Sequence, residues 1–145
     1  MPEFNGRFYD VLTGATSYAD AVSRAASITY NGMTGYLATI NSMEEYAFIH
    51  WNMSTGSVWL SGTDLGSEGT WKYSSSSLSG SNVAYLPWAL NEPNGRTSEN
   101  CLYHWAAGLA DISCSNNSIP NFVVEFECVS PRILVQGACI RMIRM

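Results

Sequence analysis

The acids and amides of one stretch carry the chemistry that this sequence offers. Glu92-Pro93-Asn94 is followed by Glu99-Asn100-Cys101, and Asp111-Ile112-Ser113-Cys114 closes the segment. Three carboxylates and an amide without a histidine are hard oxygen ligands. Such a set suits Ca²⁺, which takes roughly six to eight oxygens. A Cys101–Cys114 bridge would close a loop of about a dozen residues, worth on the order of 3 kcal/mol, and would hold Glu99 near Asp111. Spacing alone fits a polar surface loop with unrelated acids equally well.

Catalytic readings are weaker. His50 falls mid-helix, and His104 lies in a strand between Tyr103 and Trp105; both read as structural histidines. Glu44 and Glu45 are adjacent, so on a helix they point in different directions and form no acid pair. The chain has no GxSxG, HExxH or phosphate-binding glycine loop. A cysteine nucleophile needs a free thiol, which disulfide pairing removes. The chain therefore reads as a non-enzyme.

Charge and composition narrow the partners. Among 145 residues, 46 % are hydrophobic and only 13 % charged, with a net charge of -5. That excludes a disordered chain and argues against a nucleic-acid partner, which calls for a basic surface. No apolar run reaches the roughly 18 residues of a transmembrane segment. Arg132, Arg141 and Arg144 give residues 131–145 a charge of +3, leaving an acidic body suited to a cation. Four cysteines (Cys101, Cys114, Cys128 and Cys139) in a chain with one lysine point to disulfides and a secreted or extracellular setting. Their spacing fits no zinc ribbon, and three pairings are open. The sequons at Asn52 and Asn116 are compatible with secretion. Residues 1–5 read as cloning residues or an N-terminal extension.

The elements that must position these groups follow from periodicity. Phe8–Leu12 reads as an opening strand. Ser17 caps a helix over 17–30, with Val22, Ala25 and Ala26 on one face. Tyr36–Ile40 reads as a strand, and Ser42 with Glu45 forms a capping box for a helix over 43–54. Short strands are predicted at Val58–Leu60, Gly69–Tyr73, Leu102–Trp105, Ile112–Cys114 and Phe122–Phe126. Residues 74–81 read as a Ser/Gly surface loop, and 82–98 as a long irregular loop of the functional kind. Trp59, Trp71 and Trp88 read as core; Trp51 and Trp105 are less determined. The tail from Ile133 to Met145 reads as an amphipathic helix or an unrelated read-through. Two helices and then several strands predict an α+β fold with an antiparallel sheet.

The chain resembles the C-type lectin-like domains over residues 6–127. The resemblance rests on segments in the right order: Gly35-Tyr36-Leu37-Ala38-Thr39-Ile40 before the second helix, Trp59-Leu60-Ser61-Gly62, Gly69-Thr70-Trp71, Trp88, Glu92-Pro93-Asn94, Glu99-Asn100-Cys101, Asp111-Ile112-Ser113-Cys114 and Val123-Val124-Glu125-Phe126. It implies a Ca²⁺ ion held at the long loop by Glu92, Asn94, Glu99 and Asp111, with a cis bond between Glu92 and Pro93. Glu92, Asn94 and Glu99 would also contact two vicinal hydroxyls of a sugar. The Glu-Pro-Asn order implies selectivity of the mannose, glucose and fucose type, because carboxylates accept from hydroxyls and amides donate to them. Asp64, Glu68 and Asn100 stand where some members hold an auxiliary ion.

Four departures accompany the resemblance. Ala110 replaces the asparagine usual before Asp111, so one ligand is lost. The Cys101–Cys114 segment is one residue shorter than the pattern. The outer disulfide is replaced by apolar residues, at Ala25 or Ala26 and at Val124, while Cys128 and Cys139, in the tail 128–145, are expected to pair with each other. Gly95 also stands where an acid accompanies the auxiliary ion. The expected function is Ca²⁺-dependent binding of cell-surface glycans, by a homo-oligomer or part of a larger protein. The alternative is a Ca²⁺-independent protein-interaction or ligand-display domain on the same fold.

Overall fold

The structure, a computed structural model, describes residues 1–53, 56–129 and 132–142. In chain order its elements are β1 (Glu3–Phe4), β2 (Arg7–Leu12), α1 (Tyr18–Ala26), β3 (Thr29–Tyr30), β4 (Met33–Leu37), α2 (Met43–Asn52), β5 (Val58–Thr63), β6 (Cys101–Trp105), β7 (Gly108–Ile112), β8 (Asn121–Glu127), β9 (Arg132–Val135) and β10 (Ala138–Arg141). β8 is the central strand. β2 pairs along one side of it, and β4 and β5 share the other. β6 and β7 continue the sheet beyond β5. All pairings are antiparallel except β5 with β8.

Both helices begin as their caps dictate. The Ser17 hydroxyl accepts from Asp20 N, and the Ser42 hydroxyl from Glu45 N. The first helix ends at Ala26, earlier than the periodicity over 17–30 predicts. Thr29 and Tyr30 instead turn back through Asn31-Gly32 to pair with Met33 and Thr34. Both turn residues have positive φ, 46° and 82°, the geometry of a two-residue hairpin. The same device, at Gln136-Gly137, folds the tail into the hairpin β9–β10, which corrects the helical reading of residues from Ile133 on. Arg144 and the end of the predicted helix at Ser54 lie outside the described residues. The strand expected over Ile112–Cys114 lies earlier, as β7, and Gly69–Tyr73 contributes only isolated bridges at Lys72. Residues 1–5 are folded in: Glu3 and Phe4 pair with β2, and Phe4 stacks on Phe48 at 5.2 Å.

The alternation of β8 divides the core. Phe122, Val124 and Phe126 pack with Ala21, Ala25, Leu37 and Trp59 on the α1 side. Val123 packs with Tyr9, Ile40, Ile49, Leu60 and Leu102 on the α2 side. Ala25 and Val124, where the outer disulfide is absent, are fully buried in one cluster. Between them passes the backbone of Gly35. A Cβ there would stand 2.7 Å from both Ala25 O and Val124 Cγ1, so α1 lies directly on β4. Overpacking of this kind costs about 1–3 kcal/mol. Gly35→Ala is expected to fall at the upper end, because a carbonyl cannot give way; a urea midpoint equal to that of the parent would contradict the packing.

Glu125 breaks the apolar pattern of β8 and is buried. Its carboxylate accepts from the Tyr36 hydroxyl at 2.7 Å and from Thr39 N at 3.0 Å, and it faces the Arg7 guanidinium at 3.4 Å. Arg7 also meets Glu45 and Glu127, at 2.9 and 3.3 Å. One guanidinium thus serves three carboxylates and ties β2, β8 and α2 together, the pairing that buried charges require.

Candidate functional site

The long loop is fastened by Asp111 at the end of β7. Its two carboxylate oxygens accept from Asn94 N and Gly95 N, each at 3.0 Å. Asp111 is in turn fixed by strand pairing with Leu102, next to the Cys101–Cys114 disulfide. Just before Asn94, the Glu92–Pro93 bond is cis, and the Asn94 amide donates to Glu92 Oε1 at 2.9 Å. Glu92 Oε2 is buried and has no hydrogen-bond partner. Desolvation, then Asp111, then Glu99 push the Glu92 carboxyl up to about 7. Desolvation and Asp111 also raise Glu99. The structure therefore brings Glu92, Asn94, Glu99 and Asp111 into one electronegative neighbourhood, and no ion pair among the described residues neutralises its acids.

Gly95 explains how Glu99 reaches this place. A Cβ on Gly95 would collide with Cβ, Cγ and Oε2 of Glu99, so the bare backbone is the space into which Glu99 folds. Gly95→Ala is expected to displace Glu99 and weaken cation binding about tenfold while the melting temperature of the apo protein holds. Unchanged cation affinity would contradict that role. Sequence reading saw Gly95 only as a missing acid; an acid there has no room while Glu99 sits in this conformation.

The donor chemistry fits a hard dication, which would satisfy the orphaned Glu92 oxygen and the mutual repulsion of three acids. The acids are nevertheless held by loop N–H groups rather than converged on a single point: among the described residues no three His, Cys, Asp or Glu side chains form a ready metal cage. Beside this set, Asp64 accepts from Gly69 N at 2.9 Å through Oδ2, while its buried Oδ1 has no partner. The Glu68 carboxyl is raised by desolvation, then Asp64, then Asp111. The Asn100 amide nitrogen donates to Thr97 O at 2.9 Å. Its backbone carbonyl accepts from the Thr63 hydroxyl and Asp64 N.

Two further groups bear on the site. The Tyr103 phenol is raised by desolvation and by Glu92, Glu99 and Asp111; the period-2 alternation of β6 placed it on a face but not beside the acids. His104 is fully buried, with Nε2 3.0 Å from His50 Nδ1, so both histidines belong to the packing of α2 on β6. Trp59 and Trp71 are buried and Trp88 partly so; Trp51 and Trp105 are exposed.

The chain belongs to the C-type lectin family: the Lectin C-type domain matches residues 23–119. It is 29 % identical over 135 residues to halomucin of Haloquadratum walsbyi, a match covering 85 % of this chain and 1 % of that protein. It is 29 % identical over 123 residues to an alpha-N-acetylgalactosamine-specific lectin of Patiria pectinifera, covering 77 % of this chain and 70 % of that one. The carbohydrate-recognition domain of the mouse scavenger receptor C-type lectin superimposes with a TM-score of 0.72 and 26 % identity, over 90 % of this chain and 96 % of that one. A calcium-independent type II antifreeze protein shares the fold alone, with a TM-score of 0.70 and 23 % identity over 86 % and 88 % of the two chains. The two helices and mostly antiparallel sheet are thus those of the family, and the chain is a binding domain rather than an enzyme.

Proposed function

We propose that this chain is an extracellular, calcium-dependent sugar-binding domain of the mannose, glucose and fucose type, spanning residues 6–127 with 128–145 as a disulfide-pinned tail. The observation that carries the reading is the buried, partnerless Glu92 Oε2 among three unneutralised acids. Glu92, Asn94, Glu99 and Asp111 would hold the ion. Calcium, when bound, supplies a hard cation that accepts two vicinal sugar hydroxyls. The chain does the rest. Asp111 fixes the loop, Glu92 and Glu99 accept from hydroxyls, and the Asn94 amide donates to them, so the order Glu-Pro-Asn sets the hydroxyl pattern preferred.

Ala110 sets the strength. The four residues offer five oxygens, counting the Asp111 carbonyl; two sugar hydroxyls or waters bring the total to seven, within the range of about six to eight that Ca²⁺ takes. A monosaccharide buries little area, so a single site should bind it weakly, near a Kd of about 1 mM. Useful avidity on cell-surface glycans then requires several sites, in a homo-oligomer or a larger protein. Asp64 and Glu68, with Asn100 beside them, would form an auxiliary ion site.

Retention on immobilised mannose and galactose, with Ca²⁺ and with EDTA, tests the reading. Retention on mannose that EDTA abolishes is expected. Retention on galactose would keep the ion and overturn the selectivity. Ala110 favours a second reading, a calcium-independent domain that binds protein; absence of retention on either sugar together with no thermal stabilisation by Ca²⁺ would select it.

A further inference from the structure

The C-terminal hairpin and β4 flank a half-open cavity of about 310 Å³, lined by Thr34, Tyr36, Ser76, Glu127, Val129 and Arg132 among others. That volume is on the scale of one small ligand. The wall is fixed: Cys128 is bonded to Cys139, Cys139 N donates to Asn31 O at 2.8 Å, and Arg132 Nη1 donates to Gly32 O at 3.1 Å.

The lining carries one acid and one base that do not pair with each other. Glu127 is engaged by Arg7 and, at 3.3 Å, by the Tyr36 hydroxyl. It is the most exposed of the three carboxylates that share the one Arg7 guanidinium. Among the described residues the Arg132 guanidinium donates to Gly32 O, and a guanidinium carries five donors. Serine, threonine and tyrosine hydroxyls and the apolar Val129 complete the lining. This chemistry complements a molecule with an ammonium, a carboxylate and a modest apolar body.

We infer that the cavity between β4 and the C-terminal hairpin binds a small zwitterion of the α-amino acid class, its ammonium toward Glu127 and its carboxylate toward Arg132. This site is separate from the long loop and requires no calcium.

The test is titration of the whole chain in EDTA with L-leucine, L-leucinamide and N-acetyl-L-leucine, followed by the amide resonances of Thr34 and Ser76. Leucine is expected to shift both resonances saturably. The amide lacks the carboxylate and the acetyl derivative the ammonium, so each is expected to bind about tenfold more weakly, the size of one lost charge-assisted contact. Arg132→Gln, a change at an exposed residue, should lower leucine affinity about tenfold while leaving the binding of leucinamide, which has no carboxylate to meet Arg132, unchanged; an equal loss for both would show that only the wall had loosened and would overturn the contact. No saturable shift with leucine, equal binding of all three probes, or undiminished binding by Arg132→Gln would overturn the inference. Because EDTA is present throughout, the outcome is independent of the calcium reading.

Discussion

Asp111→Ala is expected to abolish calcium-dependent sugar retention and to destabilise the apo protein as well. The Asp111 carboxylate does two jobs. It accepts from Asn94 N and Gly95 N, both at 3.0 Å, and it is one of three acids around the proposed ion. Hydrogen bonds to a charged group contribute about 1.5–3 kcal/mol each, so losing both costs roughly 3 kcal/mol, or about 10 °C in Tm for a chain of this size. Glu99→Gln separates the two jobs. Its carboxylate makes no hydrogen bond among those described, so the substitution should leave Tm nearly unchanged while lowering Ca²⁺ affinity and sugar binding together, about tenfold. Calorimetric melts of both variants in EDTA, paired with Ca²⁺ titrations, distinguish the roles. Sugar binding that survived Glu99→Gln unaltered would show the site to be elsewhere.

Acid is expected to weaken the fold through His104. Burial first, and then the neighbouring His50, lower the His104 pKa to about 4. The unfolded chain protonates this histidine near its ordinary value of about 6.5. Its folded pKa is therefore depressed, so the unfolded state binds the extra proton first as pH falls. Stability is lost between about 6.5 and 4, by roughly 3 kcal/mol in full. The groups facing the ring are His50 and Tyr46 from α2, and Tyr85 lies against Tyr46. Glu125 acts in the opposite sense. Desolvation and Glu45 raise its carboxyl to about 7, so its contribution is complete below about 4.5 and fades as pH rises through 7. Comparing the parent with His104→Gln cancels that background. Urea denaturation near neutrality and near pH 4.5 should show the variant losing less stability on acidification than the parent; parallel losses would exclude His104 as the source.

How much of this was legible in the sequence depended on whether the signal was local. The serine caps of both helices were readable because a hydroxyl and an N–H three residues apart decide them. The order of the lectin segments was readable too, and with it the identity of Glu92, Asn94, Glu99 and Asp111 as candidates. The end of α1 was misjudged because Ile28 and Tyr30 continue a helical stripe as well as they begin a strand. Asn31-Gly32, with two positive φ angles, was the stronger signal, and Gln136-Gly137 was the matching one in the tail. The Arg7 hub is not legible in the sequence, because it joins residues up to 120 positions apart. Gly95 was read by what it lacks. Only the three-dimensional path of Glu99 shows that an added Cβ would displace a proposed ligand.

An ion held by Glu92, Asn94, Glu99 and Asp111 is proposed to bridge protein and sugar. Calorimetric titration of the metal-free protein with Ca²⁺, followed by methyl mannoside in the presence and absence of the ion, tests it most directly. Heat of Ca²⁺ binding that Glu99→Gln diminishes is expected, with mannoside binding only when Ca²⁺ is present. Mannoside binding that persisted in EDTA, or no Ca²⁺ binding at all, would contradict it.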